Sequence, residues 1–145
     1  MNLGVMGAPY EFFDHTADIG VHVAGATLPE LFTNAARAMV AALGELQKSE
    51  ERRAKSVELK AESLEDLLHD WLAELLYEIE AHQVLYDEFE FHELAAGGLR
   101  AEVRGGKIDF DRSHPHEEIK AVTYHQLRVE PLADGSWRAT VIFDV

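Results

Sequence analysis

The chain has 145 residues and no cysteine, and its 27 acidic against 13 basic residues give a formal net charge of -14. Disulfides, thiolate metal sites and thiol nucleophiles are thereby excluded, and so large a negative charge repels phosphate backbones, which argues against direct, strong nucleic-acid binding. The length suits a single domain over residues 1–145 with 1–9 as a leader, and no apolar run approaches the roughly 20 residues of a membrane helix; the expectation is an untargeted cytoplasmic protein without membrane contact.

Tyr10 to Phe13 is β-prone, and Ile19, Val21 and Val23 alternate with Gly20, His22 and Ala24 as in a half-buried strand. With the apolar set facing a core, Asp18 and His22 face the other way. The junction Asp14-His15-Thr16-Ala17-Asp18-Ile19-Gly20 holds two carboxylates and an imidazole. Asp14, Thr16 and Asp18 read either as turn residues whose oxygens hold backbone amides or as part of an oxygen-rich cation site completed from elsewhere.

Thr27-Leu28-Pro29-Glu30 opens a helix with a cap, a first-turn proline and a capping box. Leu28, Leu31, Phe32, Ala35, Met39, Ala42 and Leu43 form its apolar stripe, and Gly44 can supply a left-handed end. The basic cluster Lys48, Arg52, Arg53 and Lys55 has no aromatic interleaving and reads as a solvated loop entering a strand over Ser56–Ala61. Ser63 caps a second helix whose apolar face runs from Leu64 to Ile79, while Asp66, Asp70, Glu74, Glu78 and Glu80 make its other face negative.

From Val84 the chain turns β-rich: Val84–Tyr86, Phe89–Leu94, a turn at Ala95–Gly98, and Leu99–Val103. Gly105-Gly106 predicts another turn, followed by a polar, irregular stretch to His116. A long strand is expected over Ile119–Glu130 and a last one over Ser136–Val145, joined at Asp134-Gly135. The predicted fold class is α+β, a largely antiparallel or mixed sheet with two amphipathic helices packed on one face.

Alternation in the last strand puts Trp137, Ala139, Val141 and Phe143 on one face and Arg138, Thr140, Ile142 and Asp144 on the other. If this strand neighbours that of Asp18, the carboxylates of Asp18, Asp144 and the Val145 main chain converge, a donor set suited to Ca²⁺ or Mg²⁺. In Ile119–Glu130 the same period places His125 with Ile119 and Val129 as a partly buried histidine, and Lys120 with Val122 and Tyr124 opposite. Lys120 reads as a counter-charge or partner contact, or as a strand lysine that discourages edge pairing. A zinc site on His114, His116 and His125 is weakly supported, because the first two sit in an irregular stretch without helix or strand support and no cysteine completes a tight site. Gly-rich phosphate loops and nucleophile elbows are absent from the sequence.

Taken together, Asp14–Gly20, Leu67-Leu68-His69-Asp70-Trp71-Leu72-Ala73-Glu74-Leu75-Leu76-Tyr77, Glu118-Ile119-Lys120-Ala121-Val122-Thr123-Tyr124-His125 and Phe143-Asp144-Val145 resemble the archease family, over Tyr10 to Val145. The resemblance implies a small acidic, non-catalytic cofactor of the RtcB-type tRNA-splicing ligase, promoting its guanylylation and repeated turnover and meeting tRNA only through it. It further implies a calcium-type metal site on Asp18, Asp144 and Val145. Activation is carried over onto Lys120, with Asp14, His15, Tyr124 and His125 beside it in the same motifs. Two other functions compete: a metal-dependent hydrolase of a small phosphorylated substrate, with His15 as general base, and a chaperone or adaptor using the acidic helix face.

Overall fold

The computed structural model describes residues 8–15 and 17–145; most of the expected leader, and the turn role of Thr16, lie outside them. The fold is α+β, with antiparallel pairing throughout, but its strands form two main sheets rather than one. The five-stranded sheet runs β1 (Tyr10–His15), β2 (Asp18–Gly25), β10 (Trp137–Asp144), β8 (Ala121–Val122), with β9 (Arg128–Pro131) also paired to β10. The three-stranded sheet runs β4 (Lys48–Lys60), β6 (Gly98–Ile108), β5 (Val84–Ala95), and a two-stranded ribbon joins β3 (Gly44–Glu45) to β7 (His114–Pro115). Helix α1 (Leu28–Leu43) packs on β2, β10 and β5, while α2 (Leu64–His82) packs on β4, β5, β6, β8 and β9. Both helices thus bridge the two sheets over one core.

Local chemistry sets the helix limits as expected. The Thr27 hydroxyl accepts from the Glu30 amide (3.2 Å), and the Glu30 carboxylate reaches back to the Ala26 amide (2.8 Å), one residue before the cap. Gly44 ends α1 with φ 136° and ψ -161°, a positive-φ, mirror-β conformation outside the αL well that glycine adopts readily and other residues rarely do. Ser63 caps α2 through the Asp66 amide, and Gln83, at φ 55°, closes it in the left-handed region. Trp71, fully buried, donates from its indole nitrogen to the Phe32 carbonyl (3.1 Å) and meets Phe89 and Phe91, so one side chain ties α2 to α1 and β5.

Four expectations fail. The basic cluster is not a loop: β4 begins at Lys48, and Lys48 and Arg52 reach Asp87 (2.8 Å) and Glu88 (3.3 Å) on β5, past the intervening β6. That reach is open because β6 carries Gly105 and Gly106 there, which lie inside the strand rather than in a turn. A Cβ on Gly105 would lie 1.8 Å from the Leu85 carbonyl oxygen. The long strand over Ile119–Glu130 is broken into β8 and β9: the Thr123 hydroxyl bonds the Ile142 carbonyl (2.8 Å) and accepts from the His125 amide (3.2 Å), and Gln126 takes φ 53°. A local side-chain turn there displaces the ladder. Finally, His114 and Pro115, expected to be irregular, pair with β3.

One ionic network is sequestered between α2 and β4. Lys55 donates to Glu74 (2.6 Å) and Glu78 (3.0 Å), and His82 meets Glu78 (3.0 Å), whose side chain is 7% exposed. Burial pushes the Glu78 carboxyl up, but the hydrogen bonds and charges of His82 and Lys55 outweigh it and hold it below its ordinary value. The Glu74 hydrogen bond pushes the Lys55 ammonium up, against the pull of burial and with further help from Glu78. A depressed carboxylate contributes stability above its unfolded pKa and loses it as pH falls through the folded one. Thermal melts should therefore show the wild type losing stability below about pH 4.5, the ordinary glutamate value. Lys55→Met should cost about 2 kcal/mol near neutrality and flatten that acid limb. Gly105→Ala should destabilise by about 3 kcal/mol, on the order of 10 °C in Tm, because the clash is with backbone.

Candidate functional site

Strand pairing determines which predicted residues meet. The β1–β2 register sets His15 opposite Asp18, the β2–β10 register sets Asp18 opposite Asp144, and the β10–β8 register sets Asp144 opposite Ala121. Directly opposed residues in antiparallel strands share a face, with Cβ atoms about 5 Å apart. His15, Asp18, Asp144 and Ala121 therefore form one transverse row on the face turned away from the core. The alternation read for β10 and β2 holds: Val21, Val23, Ala139, Val141 and Phe143 are buried on the inner face. Asp14 is opposite Ile19 and so belongs to the inner face, not to the row.

His15 Nδ1 is 3.2 Å from Asp18 Oδ2, and its ring meets that of His125 edge-on at 5.2 Å. Asp144 forms no ion pair among the described residues, which leaves its carboxylate facing that of Asp18 without a counter-charge. Two like charges directly opposed destabilise a sheet. Behind the row, the Phe13 ring crosses over Gly20 and stacks on His22 at 4.5 Å; a Cβ on Gly20 would lie 2.3 Å from that ring. Ile142, in the same row as Gly20, is fully buried although its face was expected to be polar.

The remaining predicted residues lie at the β8 end. The Lys120 amide donates to the Asp144 carbonyl (2.7 Å), and the Lys120 side chain is exposed. His125 is exposed rather than partly buried, because the Thr123 turn lifts it off the ladder. Tyr124 is 59% exposed and lies flat on His69, rings 3.9 Å apart at 14°. Partial burial, followed by the charges of Asp70 and Asp66, pushes its phenol up. His69 is the addition that sequence reasoning missed: its Nε2 donates to the Val122 carbonyl (2.9 Å) and its Nδ1 meets Asp70 (3.0 Å). The helix motif contains it, but only the stack on Tyr124 shows that α2 holds the loop beside Lys120.

Asp18, Asp144 and the main-chain oxygens of Val145 supply oxygen donors alone, which fits a hard cation such as Ca²⁺ better than zinc or copper. Among the described residues, the three acidic or histidine side chains whose ligand atoms lie within 4.8 Å of one another are found elsewhere, at Glu90, His92 and Glu102 rather than His15, Asp18 and Asp144. Arg104 already offsets half of the negative charge there, 3.3 Å from Glu90 and 3.6 Å from Glu102. Alternation in β5 would have put Glu90 and His92 on one face; the cross-strand partner Glu102 needed the register.

Comparison with known proteins places the fold. A family described as the Archease protein family (MTH1598/TM1083) matches residues 10–145. The protein archease of Methanosarcina barkeri is 42% identical over 96% of this chain and 97% of its own length, and that of Pyrococcus abyssi is 36% identical over 94% and 98%. The solution structure of Methanobacterium thermoautotrophicum protein 1598 superposes with a TM-score of 0.73 at 30% identity, covering 94% of this chain and 99% of that one. The crystal structure of an archease, described as a possible chaperone, from Thermotoga maritima gives 0.68 at 27% identity, covering 92% and 94%.

The opposed carboxylates yield a test independent of activity. In chelator, Asp144→Asn should raise stability by about 0.5 kcal/mol by removing a like-charge pair. Calcium at about 100 times its Kd should raise that of the wild type by about 2.7 kcal/mol and leave the variant nearly unmoved. Thermal melts with and without calcium check both; an unmoved wild type would remove the cation reading.

Proposed function

The chain belongs to the archease family, and we propose that it is a non-catalytic activator of an RtcB-type RNA ligase in tRNA splicing. In this reading it promotes guanylylation and repeated turnover of the ligase in the cytoplasm, and meets tRNA through the ligase rather than directly. The observation that carries the proposal is the pairing of Asp18 with Asp144 across β2 and β10, where Asp144 lacks a cationic partner among the described residues. Asp18, Asp144 and Val145 would hold a divalent ion, calcium by preference, and that ion would supply a charge that lets the opposed carboxylates coexist and attracts oxygen donors.

The chain's own residues do the rest. Asp144 accepts the Lys120 amide at its carbonyl, so the loop carrying the lysine is tied to the row, while His69 seats Tyr124 on α2. His15 braces Asp18 from the other side. The exposed lysine is thereby held next to Asp144, and the exposed tyrosine is held against α2. The formal charge of -14 steers the protein toward a basic, nucleotide-binding partner and speeds encounter more than it sets specificity. The words possible chaperone, used of the Thermotoga maritima protein, fit a molecule that acts on another protein's state and not on a substrate bond.

Multiple-turnover ligation by the cognate ligase, with GTP and divalent metal, tests the proposal. Substoichiometric protein should raise product well beyond one round. Asp18→Ala should fold normally and bring yield to within about twofold of ligase alone, and Lys120→Met should lower it at least about tenfold. A folded wild-type protein that leaves ligation unchanged would overturn the reading.

A further inference from the structure

The edge strand β1 has features that the row of carboxylates does not use. It ends the five-stranded sheet, and its sequence Tyr-Glu-Phe-Phe-Asp-His contains neither the lysine nor the proline that commonly guards an exposed edge. The Ala24 amide donates to the Pro9 carbonyl, so Pro9, Glu11, Phe13 and His15 turn their backbone groups toward β2. Tyr10, Phe12 and Asp14 consequently point theirs outward, where no strand pairs with them among the described residues. Phe12 is 41% exposed. Beneath this strand, where the end of α1 stops short of covering the sheet, lies a pocket of about 460 Å³ lined by Phe12, Ile19, Ala41 and Ala42, with Asp14 and Asp18 close to the turn. No basic residue lines it, and Asp14 has no ion-pair partner among the described residues.

We propose that β1 and this pocket form the docking edge for an extended segment of the RNA ligase, which adds a strand to β1 and sends one lysine or arginine into the pocket. The proposal rests on the activator reading above. A long cationic side chain matches the pocket in both parts: its aliphatic stem lies against Phe12, Ile19 and the two alanines, and its charge reaches Asp14. Backbone bonds to Tyr10, Phe12 and Asp14 give affinity, and the pocket gives specificity. Charge decides between occupants, because a second copy of this chain would bring another -14 to the same acidic edge, whereas a basic segment neutralises it.

The test is isothermal titration of the cognate ligase with the full chain and its variants, with melts to verify folding. Phe12→Pro removes one outward donor and the aromatic wall while leaving every β1–β2 backbone bond available. Asp14→Lys keeps the strand and puts a cation where the pocket offers its unpaired carboxylate, and serves where the proline variant does not fold. Each should weaken Kd at least tenfold, and wild-type binding should weaken as salt rises. Wild-type protein that binds and stimulates, with both folded variants binding within twofold of it, would overturn the docking edge and leave the activator reading standing. Wild-type protein that neither binds nor stimulates would overturn both. A wild-type dimer in sedimentation, dissociated by either variant, would assign the edge to self-association instead.

Discussion

The register of β10 against β2 is the constraint on which the structure depends. Eight consecutive pairs, from Trp137 with Gly25 to Asp144 with Asp18, join the last strand to one of the first, and β8 and β9 then use the other edge of β10. Because side chains alternate with a period of two, a slip of one residue would send Val141 and Phe143 to water and Asp144 to the core. Burial of the inner face thus enforces the opposition of two carboxylates. The sheet tolerates a local repulsion because the apolar residues around it leave no other register.

That arrangement divides the molecule into a part that holds and a part that presents. Trp71, Phe32, Phe89 and Phe91 lock the helices to the three-stranded sheet, and the Lys55 network adds a polar clasp near the α2 C-terminus. The presenting part is the end of the five-stranded sheet, where two short devices act on one row, His15 against Asp18 and the Lys120 amide on Asp144, while Tyr124 stacked on His69 ties the adjoining loop to α2. Each is a contact between different elements, so the shape of this end depends on helix, hairpin and loop together.

Elements whose signals are local were legible in the sequence. Caps at Thr27 and Ser63, the apolar stripes of both helices, and the faces of β2 and β10 follow from side-chain chemistry and period alone. The convergence of Asp18 with Asp144 was legible only on the condition that their strands were neighbours, which pairing supplied. What escaped was set by partners far along the chain. Lys48 and Arg52 look like loop residues until glycines on β6 let them reach β5, and Gly105 looks like a turn until Leu85 is seen against it. Ile119–Glu130 has the period of a strand, yet the Thr123 hydroxyl offers the backbone a competing bond. His69 could not be connected with Tyr124 without the turn that brings them together.

The joining of β2 to β10 also has a consequence in time. Residues 48–108 contain β4, α2, β5 and β6, a sequence-local unit whose hairpins and helix close short loops. The row of carboxylates instead requires segments separated by most of the chain, and such distant pairings form late because closing the long loop costs entropy before contacts compensate for it. On a ribosome the first two strands wait, with an unguarded aromatic edge, until the last strand emerges. Until then the chain has much of its helical scaffold and the His15–Asp18 half of the row, so an incompletely synthesised molecule lacks the carboxylate that opposes Asp18.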